Sequence, residues 1–313
     1  MKKIFIDGSA GTTGLRIHER LSGRSDIEIF TLVGDERKDP DARKRAINSC
    51  DIAFLCLPDD AAREAVSMID NENVKVIDTS TAHRVGCGFA YGFAELSEEH
   101  FDDIKNNNRI AVPGCHASGF IALVYPLIKA GAVDPDVLLA CTSLTGYSGG
   151  GKKMIAEYEG EERNNLLDAP RVYGLSQSHK HLKEMKAVTG IEKAPAFLPV
   201  VSDFYSGMLV TVPLFADMLK NGVGIGDIKN IYRELYNENS TGVVAYKDGV
   251  DEGGFMSAVG LGGKDCMEIS VFGNDERILL AARYDNLGKG ASGAAIECMN
   301  IALGLDPKTG LEL

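Results

Sequence analysis

In the N-terminal third of the chain, hydrophobic residues concentrate in short runs, at residues 3–7, 27–33, 51–57, 74–78 and 109–112. Runs that are apolar throughout, rather than alternating, describe strands covered on both faces, as in a parallel sheet. Helical patterns lie between them. Leu15, Ile17, His18 and Leu21 follow the first run, and residues 41–48 and 61–69 read as helices, the latter entered through Pro58-Asp59-Asp60. Strand and helix in regular alternation predict a doubly wound α/β domain. Residues 86–93, rich in glycine and aromatics, read as an irregular loop leading back to the strand at 109–112.

Beyond that strand the pattern changes. Residues 120–130 read as an apolar helix, 138–144 as a strand and 152–162 as a helix. From 197 onward strands dominate, at 197–201, 208–214, 242–246, 266–272 and 277–284, with one helix at 225–236. Grouped strands with few helices predict a second, α+β domain around a mostly antiparallel or mixed sheet. The last apolar segment, ending at Leu303, carries small residues at helical spacing and is expected to pack on the N-terminal domain. The expected division is residues 1–117 with 285–313, and residues 118–284.

The first strand ends in Gly8-Ser9-Ala10-Gly11-Thr12-Thr13-Gly14, and a helix follows. Strand, glycine loop and helix form the setting of a Rossmann-type dinucleotide fingerprint. The spacing is G-x-x-G-x-x-G rather than G-x-G-x-x-G, but the physics is the same. Glycines let the backbone approach a pyrophosphate, and the helix N-terminus presents N–H donors. The second strand runs into Gly34-Asp35-Glu36-Arg37-Lys38, where an adenosine ribose would lie. An acidic side chain there bonds a 2′-hydroxyl and a basic one a 2′-phosphate. Both signs are present, and Arg37 with Lys38 favours NADP. The loop Thr79-Ser80-Thr81-Ala82-His83-Arg84 follows another strand at its carboxyl end, where open α/β sheets bind ligands. Arg84 offers a planar fork for phosphate or carboxylate.

Val112-Pro113-Gly114-Cys115-His116 places a thiol near the start of a helix, where N–H groups and the dipole favour a thiolate. The other six cysteines lie elsewhere and read as packing residues. Cys115 is therefore the candidate nucleophile. His116 is set aside as its base, because adjacent side chains at a strand–helix turn tend to point apart. Ser148, Gly149 and the glycines after them feed a predicted helix and can form an anion nest, with Lys152 adding a point charge. Farther along, His179 and His181 supply imidazoles, and a thiolate chemistry calls for a proton donor that titrates near neutrality. Two histidines at i and i+2 cannot share a helix face. With no third cluster of His, Cys or carboxylates nearby, no metal is expected.

Composition narrows the class. A net charge of −12 without a basic block argues against general binding to nucleic acid or anionic membrane. No apolar run is long enough to span a bilayer, and the N-terminus reads as a first strand rather than a signal peptide. Seven cysteines, an odd number without CxxC or zinc-like spacing, suggest reduced thiols and a cytoplasmic setting.

The order and spacing of these segments carry a resemblance. They include the 5–14 loop, Cys56-Leu57-Pro58-Asp59-Asp60-Ala61-Ala62, the 78–84 loop, Pro113-Gly114-Cys115-His116 and Ser148-Gly149-Gly150-Gly151-Lys152. His179-Lys180-His181 and Asp285-Asn286-Leu287-Gly288-Lys289-Gly290-Ala291 complete the set. With them, the sequence resembles the N-acetyl-γ-glutamyl-phosphate reductases in their shorter, type 2 form, which group with the aspartate-semialdehyde dehydrogenases. The resemblance spans essentially the whole chain. It implies NADPH-dependent reduction of N-acetyl-γ-glutamyl phosphate to N-acetylglutamate semialdehyde and phosphate, in arginine biosynthesis. It also implies Cys115 as nucleophile and His179, counted from Tyr173, as acid/base, with His181 as the fallback. Gly8, Gly11 and Gly14 fall on the dinucleotide loop, Asn286 on the segment near the nicotinamide, and Arg84 on a substrate-phosphate contact. A homodimer or homotetramer is implied as well. The run at 148–152 departs from the Ser-Gly-Ala-Gly-Arg pattern of the longer form, so Lys152 receives no role from the resemblance. Two rival readings are an aspartate-semialdehyde dehydrogenase and a non-enzymatic NADPH-binding sensor.

Overall fold

Strand β1 (Lys2–Asp7) sends Ile4 and Ile6 to one side and Phe5 to the other, and all three are buried. That double burial sets the architecture of the first unit. After β1 come α1 (Thr12–Leu21), β2 (Ile27–Phe30), α2 (Pro40–Asn48), β3 (Ile52–Leu55), α3 (Asp59–Ser67) and β4 (Lys75–Asp78). The two-residue β5 (Ala90–Tyr91), α4 (Glu98–Asn106) and β6 (Arg109–Ala111) complete the run. The sheet is parallel throughout, in the order β2-β1-β3-β4-β6-β5. On one face Ile4, Ile6 and Phe54 meet Ile17 and Leu21 of α1. On the other, Phe5, Ala53 and Leu55 meet Ala46 and Ile47 of α2 and Ala65 of α3. The strand order reverses at β1, and the loops above the carboxyl ends of β1 and β3 flank that switch point.

The computed structural model describes residues 1–238 and 240–313. They divide into two units, Met1–Pro113 with Ala291–Leu311, and Gly114–Gly290 with Glu312–Leu313. The second unit begins with α5 (Cys115–Lys129), β7 (Ala140–Gly146), α6 (Gly151–Glu159), β8 (Arg171–Val172), α7 (His181–Thr189) and β9 (Ala196–Ser202). It continues through β10 (Met208–Phe215), α8 (Ile225–Arg233), β11 (Val244–Tyr246), β12 (Met267–Gly273) and β13 (Arg277–Tyr284). Its sheet runs β11-β12-β13-β10-β7-β9-β8. The β11–β12 and β7–β9 pairs are parallel and the others antiparallel, so the sheet is mixed, as the grouped strands predict. Helix α5 lies against β10 and β13, with α7 and α8 beside it. The last helix, α9 (Gly293–Ala302), belongs to the first unit and packs against α1, α4 and β4; each of its residues is buried.

The loop expected at 86–93 contains β5, paired in parallel with β6. The second strand ends at Phe30, short of the expected 33, and Gly34–Lys38 forms a 3-10 turn. Helices α4 and α7 have no counterpart in the hydrophobic pattern.

Candidate active site

In the first unit the glycine loop joins β1 to α1. Gly8 has φ +85°, and a Cβ there would lie 2.2 Å from the Cys56 carbonyl oxygen. At Gly14 a Cβ would lie 2.5 Å from the Gly8 oxygen. The chain itself therefore demands glycine at both positions. Gly11 differs, since an added Cβ would meet nothing closer than 3.4 Å. The missing side chain at Gly11 leaves a space that the protein does not fill. Gly11 is also the N-cap of α1, which has no side-chain cap, so the first-turn N–H groups lack that partner. Uncapped donors beside the open space at Gly11 suit a dinucleotide pyrophosphate. Ser9, Ala10, Thr12 and Thr13 complete the loop, all half-buried. Beneath it, Arg43 donates to Asp7 at 3.0 Å and to Glu64 at 2.8 Å. Burial raises the Asp7 carboxyl in spite of that guanidinium. Nothing in the sequence pattern pointed to this pair. Arg37 and Lys38 are exposed, and Arg37 Nε donates to Gly34 of its own turn.

The loop after β4 is held from within. Asp78 accepts from Ser80 Oγ at 2.7 Å, and the His83 Nδ1 lies 2.7 Å from the same carboxylate. The His83 ring stacks on Phe89 at 4.5 Å. Arg84 donates through Nε to the Val112 carbonyl at 2.8 Å and through Nη2 to the Thr79 carbonyl at 3.0 Å. The first of these bonds ties the loop to the end of β6, and the second closes the loop on its own first residue.

In the second unit Cys115 is the first residue of α5, so the helix starts five residues before the expected 120. Its N-cap, Gly114, has no side-chain cap, but the Gly114 N–H donates to Glu184 Oε1 at 2.8 Å. Glu184 is buried on α7, three residues beyond His181, and i, i+3 spacing sets both on one face. Sequence reasoning passed over Glu184, whose only signal is that spacing, visible once α7 is recognised.

His116, His179, His181 and Tyr173 gather in one cluster. The rings of His179 and His181 are 4.8 Å apart, and each lies 5.6 Å from His116. Because α7 begins at His181, His179 stands outside the helix, and the argument from helix faces does not separate the two. His116 Nδ1 is 2.7 Å from Ser143 Oγ and Nε2 is 2.6 Å from Tyr173 Oη, so both ring nitrogens are engaged. Burial, with the charges of His179 and Lys180 behind it, brings the His116 imidazole down to about 3. Burial and then Lys180 also lower His179, which is half-buried. Burial raises the Tyr173 phenol, and the charge of nearby Cys115 adds to the effect. Elsewhere burial pushes the Cys50 and Cys56 thiols up to about 12, and raises Cys141 and Cys266 too.

The glycine run precedes α6. Ser148 is buried, whereas Gly149 and Lys152 are exposed. Asn286 is buried and couples two loops, donating to Ser148 Oγ at 3.0 Å and accepting from the Gly207 N–H at 3.0 Å. Among the described residues no group of His, Cys, Asp or Glu is arranged to hold a metal ion, and no helix is long and apolar enough to cross a membrane.

Two family models match the chain. Residues 3–104 match the semialdehyde dehydrogenase NAD-binding domain, and residues 115–286 the semialdehyde dehydrogenase dimerisation domain. Among curated relatives, N-acetyl-gamma-glutamyl-phosphate reductase 2 of Nostoc sp. is 43% identical over 99% of both chains. The N-acetyl-gamma-glutamyl-phosphate reductase of Sinorhizobium medicae is 44% identical over 96% of this chain and 98% of its own. Among solved structures, aspartate semialdehyde dehydrogenase II of Vibrio cholerae superposes with a TM-score of 0.74 at 16% identity, over 97% of this chain and 98% of that one. This last likeness is one of fold.

Proposed function

This chain belongs to the N-acetyl-γ-glutamyl-phosphate reductases, and we propose that it reduces N-acetyl-L-glutamyl 5-phosphate to N-acetyl-L-glutamate 5-semialdehyde and phosphate, a step of arginine biosynthesis. The observation that carries the mechanism is the place of Cys115 as first residue of a helix without a side-chain N-cap.

His179, neutral at neutral pH because its pKa is lowered, takes the proton of the Cys115 thiol. The thiolate attacks the acyl-phosphate carbonyl, the C–O bond to phosphate breaks, and phosphate leaves with the electron pair. A thioester to Cys115 remains. The Gly8–Gly14 loop would hold NADPH, whose chemistry would be hydride donation to this thioester. N–H groups of the first turn of α5 stabilise the resulting oxyanion. His179, now an imidazolium, lends it a proton and takes that proton back as the C–S bond breaks, releasing aldehyde and restoring the thiolate. Burial keeps His116 neutral, and Tyr173 and Ser143 occupy its ring nitrogens, so it packs the site and moves no proton.

For the cofactor, Gly11 and the uncapped start of α1 support binding of the pyrophosphate, and exposed Arg37 and Lys38 support NADP over NAD. Ser148, Gly149, Lys152 and His181 are the residues we assign to the substrate. Arg84 acts by holding its loop to Val112, and we assign its planar guanidinium to the substrate phosphate. We assign Asn286 to shaping the Ser148 turn beside the nicotinamide.

The matched dimerisation domain supports a homo-oligomer, and we propose a homodimer formed through the open face of the second sheet. The seven cysteines are free thiols, which supports a cytoplasmic setting; recovery of the protein from a secreted fraction would contradict it.

Phosphate-dependent oxidation of N-acetylglutamate semialdehyde by NADP⁺ tests the activity. It is expected to exceed oxidation of aspartate semialdehyde, and oxidation with NAD⁺, by at least about tenfold in kcat/KM, a difference of roughly 1.4 kcal/mol in the barrier. Preference for aspartate semialdehyde would overturn the substrate, and preference for NAD⁺ the cofactor.

A further inference from the structure

Three buried tyrosine hydroxyls donate to backbone carbonyls of α5. Tyr236 reaches Ala122 at 2.7 Å, Tyr232 reaches Leu123, and Tyr284 reaches Cys115 at 2.5 Å. The first has a plain cause. Pro126 stands inside the helix and has no N–H, so the carbonyl four residues back, that of Ala122, lacks its helical donor. Tyr236 supplies the donor instead.

Tyr284 has no such cause. The helical donor to the Cys115 carbonyl is the Gly119 N–H, and Gly119 has one. Yet the Gly119 N–H also donates to Tyr284 Oη, at 3.0 Å. The hydroxyl therefore sits against the i, i+4 pair that closes the first turn of α5, touching both members. This approach is possible only beside glycine. A Cβ at position 119 would lie 2.7 Å from Tyr284 Oη and 2.6 Å from Val210 Cγ2. The same chain segment meets the nucleophile once more, since a Cβ on Gly290 would lie 3.1 Å from the Cys115 Cβ and 3.4 Å from the Tyr284 ring. Tyr284 is itself fixed as the last residue of β13, paired with Met208 on one side and Met267 on the other. Burial, and then the charge of Cys115, keep its phenol protonated, so it remains a donor.

We propose that Tyr284 is a positioning residue for Cys115, its hydroxyl setting the first turn of α5 so that the thiol stands in place for attack. The inference rests on Cys115 being the nucleophile. A hydroxyl bonded to both members of a helical hydrogen-bond pair fixes where the turn lies, and here that turn carries the reacting group. Rates are sensitive to such placement, with about 1 Å of error costing on the order of 100-fold.

Tyr284→Phe in the full chain keeps the ring and removes the hydroxyl. The expected result is a fall in kcat of roughly 10- to 100-fold, with KM for the semialdehyde and for NADP⁺ changed by less than about twofold. The pH midpoint for inactivation by iodoacetamide is expected to move, because the thiol has left its place at the helix start. A buried tyrosine that only needed a partner for its hydroxyl would instead lower the melting temperature and leave kcat and that midpoint unchanged, which would overturn the proposal. If Tyr284→Phe does not fold, Gly290→Ala presses on Cys115 from its other neighbour. A kcat loss with KM retained supports the positioning role, and a wild-type kcat overturns it. The underlying reading is tested separately: a wild-type protein that stays active with Cys115 alkylated removes the nucleophile itself, whatever Tyr284 does.

Discussion

His116 and His179 have rings 5.6 Å apart but opposite chemical prospects. His116 is nearer in sequence to the thiol, yet Ser143 and Tyr173 occupy its nitrogens and burial keeps it neutral. Its pKa falls from 6.5 to about 3 on folding, so below 6.5 the unfolded chain binds a proton that the folded chain refuses. Stability is accordingly expected to decline as pH falls from 6.5 toward 3. Urea midpoints measured across that range should drop less steeply for His116→Gln than for the wild type; equal slopes would contradict the account. His179 is the proton carrier of the proposal. His179→Asn is expected to lower kcat by roughly 100-fold or more, with His181→Asn well behind. If only His181→Asn is crippled, the assignment belongs one histidine along. At this scale the sequence was informative where chemistry needs a rare residue at a special position, as with Cys115 before an apolar segment. It was silent about Glu184 and Tyr284, because an acid in a polar stretch and a tyrosine ending a strand carry no mark of what they will touch. Arg84 shows the converse. Its residue type suggested an anion, and two of its donors bind carbonyls of its own unit.

Elements were legible when burial was apolar. The strands of the first sheet are hydrophobic on both faces because both are covered, and that, with the regular alternation of strand and helix, pointed to a parallel sheet. Helix α7 escaped because two of its four buried residues are His181 and Glu184, so it shows no apolar stripe. Helix α4 buries only Ile104, leaving Ser97, which accepts from the His100 N–H, and the acids Glu98 and Glu99 as its only start signals. Strand β5 is two residues long, too short for any periodicity. The glycine loop makes a prediction at this level. Gly8→Ala is expected to destabilise strongly, since its φ is positive and the Cys56 carbonyl fills the space. Gly11→Ala is expected to leave the melting temperature within a few degrees and to weaken NADPH binding by roughly tenfold or more, measured by fluorescence titration. Undiminished binding by a folded Gly11→Ala protein would mean that the cofactor does not approach there.

For the whole molecule, the two-part α/β and α+β organisation follows from the change between strands that alternate with helices and strands grouped together with few helices. Strand β10 of the second sheet alternates in burial, with Val210, Val212 and Leu214 buried and Pro213 and Phe215 exposed. Phe215 is 55% exposed, and Leu279, the cross-strand partner of Pro213, is 39% exposed. Apolar side chains on an open sheet face call for a cover, which the proposal assigns to a second copy. Phe215→Asp is expected to shift sedimentation from dimer toward monomer, and an unchanged mass would refute this choice of face. The central claim concerns one bond, the thioester at Cys115. Its most direct measurement is rapid mixing of stoichiometric enzyme with N-acetylglutamyl phosphate in the absence of NADPH, followed by acid quench and mass analysis of the peptide containing Cys115. A burst of phosphate equal to the enzyme, with the N-acetylglutamyl group on Cys115 and neither in Cys115→Ser, is the predicted result. Acylation elsewhere, or a Cys115→Ser protein that turns over at near the native rate, would contradict it.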